Sequence, residues 1–100
     1  MNMQQMMIQA QKMQREIKKA LDELAKEEFT CSKGGAVTVV MYGDGSLKSV
    51  SIDEDAFEKE NKEMIEELIV MAIKELSEQV EATKEEVNER ITGSRGGLGF

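Results

Sequence analysis

One hundred residues, 40% hydrophobic and 33% charged, with no proline, tryptophan or histidine and a single cysteine, make a chain of single-domain size. That composition excludes histidine metal sites, Ser-His and Cys-His catalysis and any intrachain disulfide framework, and it predicts neither cofactor nor bound metal. The net charge of −7 weighs against nucleic acid as a ligand, because a uniformly acidic surface repels phosphate.

The first element reads as a helix. Apolar residues fall at Met3, Met6, Ala10, Met13, Ile17, Ala20 and Leu24, an alternating three-and-four spacing that marks a coiled-coil seam. Met7 and Leu21 widen one flank, and the intervening Gln, Lys and Glu are good helix formers. From Glu28 the period changes to two. Phe29 and Cys31 alternate with polar neighbours ahead of Gly34-Gly35, and the β-branched run Ala36-Val37-Thr38-Val39-Val40-Met41-Tyr42 follows. The turn Gly43-Asp44-Gly45-Ser46 then leads into Leu47-Lys48-Ser49-Val50-Ser51-Ile52, so these two strands form an antiparallel hairpin. A short strand before Gly34 makes three. Val37, Val39 and Met41 share one face, which needs covering.

Asp53 or Asp55 caps the next segment, a short helical turn through Ala56 and Phe57 with a break near Asn61. A long helix follows on the seam Ile65, Ile69, Ile73, Leu76, Val80, Thr83, Val87, Ile91 and ends at Thr92-Gly93. Leu68, Val70, Met71 and Ala72 flank the first half of that seam. This half is therefore expected between the sheet and another helix, and residues 78–90 as a solvent-facing arm. Residues 1–92 form the domain, and the glycines of residues 93–100 predict a flexible tail.

A domain this small buries only about 60–65% of the surface its unfolded chain exposes, so self-association is expected to complete the core. Met6, Met13, Ile17, Val39, Met41, Ile65, Ile69 and Ile73 are the candidate core and dimer positions. Charge is polarised along the chain. Residues 1–26 carry five cations, Lys12, Arg15, Lys18, Lys19 and Lys26, against three acids, whereas residues 53–91 carry fourteen acids against five cations. Lys12, Arg15, Lys19 and Lys26 are spaced three, four and seven apart, which puts them opposite the first seam. They are the best candidate phosphate surface, although an ordinary solvated face has the same pattern. Arg90 and Arg95 stand as possible additions.

Other features carry no chemistry. The methionines fit a seam better than a soft-metal site, and Cys31 reads as a strand residue. Asp53-Glu54-Asp55 and Glu85-Glu86 lack calcium-loop spacing and a partner base, and neither glycine cluster has the strand-to-helix setting and lysine of a phosphate loop. No apolar run reaches the roughly 18–20 residues that span a bilayer, and no signal-peptide pattern opens the chain, so a soluble cytoplasmic protein is expected.

Several strings resemble the YbaB/EbfC family of bacterial nucleoid-associated proteins. They are residues 6–13 with the overlapping Gln-Ala-Gln-Lys-Met-Gln run that ends at Gln14, the strand and turn from Gly35 through Gly43, Val50-Ser51-Ile52-Asp53, and Lys62-Glu63-Met64-Ile65-Glu66-Glu67-Leu68-Ile69. The resemblance implies an α+β fold and an intertwined homodimer with helices projecting like tweezers. It also implies binding of double-stranded DNA in the nucleoid with little or modest sequence preference. The chain departs from the family pattern in lacking prolines after Asp53 and in its acidic long helix. The combined expectation is a non-enzymatic homodimer that binds duplex phosphates through Lys12, Arg15, Lys18, Lys19 and Lys26, helped by Arg90 and Arg95. It has neither membrane partner nor small-molecule substrate. The alternative is a helix-hairpin-helix interaction module resembling a prefoldin-like chaperone.

Overall fold

The computed structural model describes residues 2–93. Asn2 starts the first helix, α1 (Met3–Leu24), by a reciprocal cap. Its Oδ1 accepts from the Gln5 amide at 2.8 Å, and Gln5 Oε1 accepts from the Asn2 amide at 3.3 Å. Three strands follow, β1 (Glu28–Lys33), β2 (Val37–Tyr42) and β3 (Leu47–Ile52), then 3-10 turns at Glu54–Ala56 and Lys59–Asn61, and finally α2 (Lys62–Thr92). The α+β order and the break at Asn61 agree with the periodicity. Asn61 Nδ2 donates to the Ala56 carbonyl at 2.9 Å, which ties the two short turns together ahead of α2.

The sheet is antiparallel in the order β1-β2-β3, so β2 is central. Gly34 and Gly35 both hold positive φ in the first connection, where a side chain would be strained. In the second, Asp44 Oδ1 accepts from the Ser46 amide and hydroxyl at 2.8 and 2.5 Å. These bonds hold the Asp44 carboxyl below its ordinary range. Cys31 pairs with Val39 and Val39 with Val50, and an irregularity at Val40/Met41 brings Met41 opposite Leu47.

The first half of α2 lies across β1 and β2. Ile65, Ala72, Leu76 and Val80 close over Cys31, Ala36, Val37, Val39 and Met41 to form the core, with Ile69 and Ile73 half-buried at its rim. Lys33 and Glu75 pair across the β1–α2 contact. The hydrogen bond, and then the charge, lowers the Glu75 carboxyl and raises the Lys33 ammonium. β3 lies beyond this cover and is exposed throughout.

Two expectations about the helices are corrected here. The first half of α2 is not held between sheet and helix in the single chain, because its far side exposes Met64, Val70 and Met71. Residues 78–90 are not a bare arm either. Val80 and Val87 are buried, Ala20 and Leu24 of α1 share a hollow with Thr83 and Val87, and Met13 lies near Ile91. Chain connectivity explains both. Only residues 25–27 separate α1 from β1, and the Gly43 amide donates to the Glu27 carbonyl at 3.0 Å, which pins the end of α1 at one end of the sheet. A helix of 22 residues, about 33 Å long, must then project past the sheet, where the second half of α2 is its neighbour.

The result is a thin rod with extents of 68 × 24 × 14 Å and a radius of gyration of 19.4 Å, against about 13 Å for a compact chain of this length. No helix among the described residues is long and apolar enough to cross a membrane.

Candidate nucleic-acid interface

α1 carries the cationic face because its seam is committed elsewhere. Met13, Ile17, Ala20 and Leu24 turn toward α2, where the first three are half-buried and Leu24 is buried, while Met6 is exposed. At 100° per residue, Lys12, Arg15 and Lys19 fall within an arc of about 60° away from the seam, with Lys12 at the edge that borders a hollow with Met13, Glu16 and Ile91. All three are exposed, so the structure brings them together on one open surface.

The remaining candidates divide. Lys18 lies at the edge of that face and pairs with Asp22 at 3.0 Å. An exposed pair of this spacing is worth only about 0.3–0.5 kcal/mol, too little to withhold the ammonium from a phosphate. Lys26 stands beyond the helix, exposed, its amide donating to the Glu23 carbonyl at 3.2 Å. Arg90 is apart from the stripe. It lines the α1–α2 hollow together with Glu23 and Glu27, which places it beside carboxylates. Arg95 lies outside the described residues.

The acidic charge belongs mainly to another surface. Glu78, Glu81 and Glu85 line an open face of α2 with Lys74 and Ser77, opposite the seam that packs on α1. Helices packed about 8–10 Å apart, each about 10–12 Å wide, hold two such outward faces roughly 20 Å apart. That is about twice the Debye length of roughly 8–10 Å at physiological salt. A phosphate at Lys12 therefore feels Arg15, Lys19 and the adjoining Glu16 far more than those glutamates. Residues 2–15 contain no acid at all, Glu16 being the first, so this end of α1 presents only neutral and positive groups. Net charge alone hides this separation.

The same face holds residues that a search for cations passes over. Gln4, Ile8 and Gln11 precede Lys12, Arg15 and Lys19 on it, and the readable signal is the spacing 4, 8, 11, 15, 19. No part of this surface assembles a nucleophile with a base. Among the described residues no group of three or more His, Cys, Asp or Glu side chains is placed to hold a metal ion.

The sequence model of the YbaB/EbfC DNA-binding family matches residues 1–95. The chain belongs to that family. Among its curated relatives, a nucleoid-associated protein of Saccharopolyspora erythraea is 40% identical over 97 residues, covering 96% of this chain and 84% of the relative. One of Chloroflexus aurantiacus is 36% identical over 100 residues, covering 98% and 99%. A third, of Mycoplasmopsis pulmonis, is 34% identical over 95 residues, covering 95% and 94%. In this YbaB/EbfC chain the surface best suited to a polyanion is thus the outer face of α1.

Proposed function

We propose that this YbaB/EbfC protein is a homodimeric nucleoid-associated protein that binds double-stranded DNA, largely through phosphate contacts, with little sequence specificity and without catalysis. The observation that carries the reading is the separation of charge: Lys12, Arg15 and Lys19 stand together on an exposed face of α1, opposite its seam and away from the glutamates of α2. Lys18 and Lys26 extend that face, and Arg90 contributes less because it stands beside Glu23 and Glu27. Nucleoid location accords with the names of the relatives.

Dimerisation is supported by apolar surface that one chain leaves open. Leu47, Val50 and Ile52 of β3 lie beyond the cover of α2, next to an open hollow of about 490 Å³ lined by Ile52, Phe57, Ile65 and Ile69. The accessible surface of 7478 Å² exceeds by about 1,800 Å² that of an average monomer of this mass. That excess is about twice the roughly 800 Å² that each partner buries in a standard protein–protein interface, and a second copy doubles the cationic face.

Binding to a random duplex at about 50 and 200 mM salt tests the proposal. If Lys12, Arg15 and Lys19 of both protomers each neutralise one phosphate, the slope of log affinity on log salt is about −5.4, a loss of roughly 10³-fold between the two salts. The variant with all three changed to Gln should bind more weakly and with a slope shallower by about 5.4. A folded dimer that binds no DNA even at the lower salt would overturn the reading in favour of a protein-interaction arm.

A further inference from the structure

The N-terminal turns of α1 carry more than charge. Residues 2–12 are all exposed, a helical stretch of about 16 Å whose last turn, at Gln9 and Lys12, borders the hollow beside Ile91 of α2. Ile8 lies in this stretch with 58% of its surface open. Unlike Met6, it does not belong to the seam; it sits on the cationic face, four, seven and eleven residues before Lys12, Arg15 and Lys19. A partner seated on the seam would therefore leave Ile8 pointing outward. Gln4 and Gln11 flank it at i−4 and i+3 on the same side, and neither side chain has a hydrogen-bond partner among the described residues. A branched apolar side chain between two uncommitted amides, with no acid before Glu16 and with Lys12, Arg15 and Lys19 following, does not resemble an ordinary solvated face.

We infer that this end of α1 enters the major groove of duplex DNA, where Ile8 packs against a thymine methyl and Gln4 and Gln11 hydrogen-bond to adenine edges. The inference rests on the DNA-binding reading above and adds base contacts to its phosphate contacts. Dimensions select the groove: a helix about 10–12 Å wide fits a major groove of about 12 Å and not a minor groove of about 6 Å. Chemistry selects the bases, because the C5 methyl of thymine is the apolar group on the groove floor and a glutamine amide matches the N6 donor and N7 acceptor of adenine. Lys12, Arg15 and Lys19 follow along the same face, where they meet the backbone and fix the depth of entry. The outcome is a modest preference for A·T base pairs on top of a largely electrostatic affinity.

The test uses an A·T-rich duplex and the same duplex with every thymine replaced by uracil, which deletes the methyl groups without changing charge. The full-length wild type should bind the uracil duplex about fourfold more weakly for each thymine methyl packed against Ile8, with an unchanged salt slope. Ile8→Ser should keep the wild-type salt slope and thermal stability and bind both duplexes equally. Equal binding of the two duplexes by the wild type, or discrimination retained in Ile8→Ser, would overturn the inference while leaving the phosphate reading intact. Absence of binding to either duplex would remove both.

Discussion

Gly43 fastens α1 to the sheet, and replacing it with alanine should release that attachment. It is buried, its amide donates to the Glu27 carbonyl at 3.0 Å, and a Cβ built on it would lie 1.9 Å from the Leu24 carbonyl oxygen and 2.7 Å from the carbonyl carbon. An ordinary carbon–oxygen contact is about 3.3–3.6 Å, so the two backbones must separate by more than 1 Å, roughly speaking. The Leu24 oxygen also accepts from the Glu27 amide at 2.9 Å, so that movement strains two hydrogen bonds. Overpacking of about 1–3 kcal/mol and about 1 kcal/mol for each bond give a loss of roughly 3–5 kcal/mol. Gly45→Ala is the control. It holds a φ of 90° with nothing within 4 Å of the added Cβ, so it carries only backbone strain, about 1–2 kcal/mol. In thermal unfolding at equal protomer concentration, Gly43→Ala should lower Tm by at least about 12 °C, and by more than Gly45→Ala does. A Gly43→Ala protein as stable as Gly45→Ala would refute the close approach and the anchoring of α1 built on it.

Leu76→Ala, at a position with no exposed surface, should cost about 2–5 kcal/mol in urea unfolding, whereas Lys12→Ala should change stability by less than about 0.5 kcal/mol. Ile52→Glu with Phe57→Glu should shift sedimentation toward monomer while leaving the far-ultraviolet spectrum of the helices intact, since both side chains are exposed in the single chain. The Lys33–Glu75 pair predicts a pH effect of definite sign. The lowered Glu75 carboxyl stabilises the fold above its ordinary range, and that contribution is lost as pH falls through the lowered folded value; Glu75→Gln should flatten this part of the acid limb. The raised Lys33 ammonium contributes fully below the ordinary lysine range and is lost as pH rises through its raised folded value.

The parts of this fold legible in the sequence are those written as periodicity. The seam from Met13 to Leu24, the alternation of Val37, Val39 and Met41, the turn at Gly43-Asp44-Gly45-Ser46 and the start of α2 beyond Asn61 all stand where spacing and turn chemistry put them. Periodicity gives the direction a side chain faces but not what it meets. The expectation of an outer helix over Val70 and Met71 is not met within the single chain, because α1, tethered closely to β1, can reach only the second half of α2. The contact at Gly43 was hidden for a related reason: its clash is with Leu24, nineteen residues earlier, and no local pattern reports it. At the candidate site the lysine and arginine spacing was readable, while the screening of the acidic face required the packing of the two helices. Ile8 shared that spacing, but a search for charge overlooks an apolar residue among cations.

The most direct test of the central claim is an amide NMR titration of the uniformly labelled protein with a short random duplex at low salt. The largest shift changes should fall on the outer face of α1, at Lys12, Arg15 and Lys19 and onward to Gln4, Ile8 and Gln11, with Glu78, Glu81 and Glu85 of α2 little affected. Changes concentrated on α2 or on the exposed face of β3, with α1 unmoved, would contradict it.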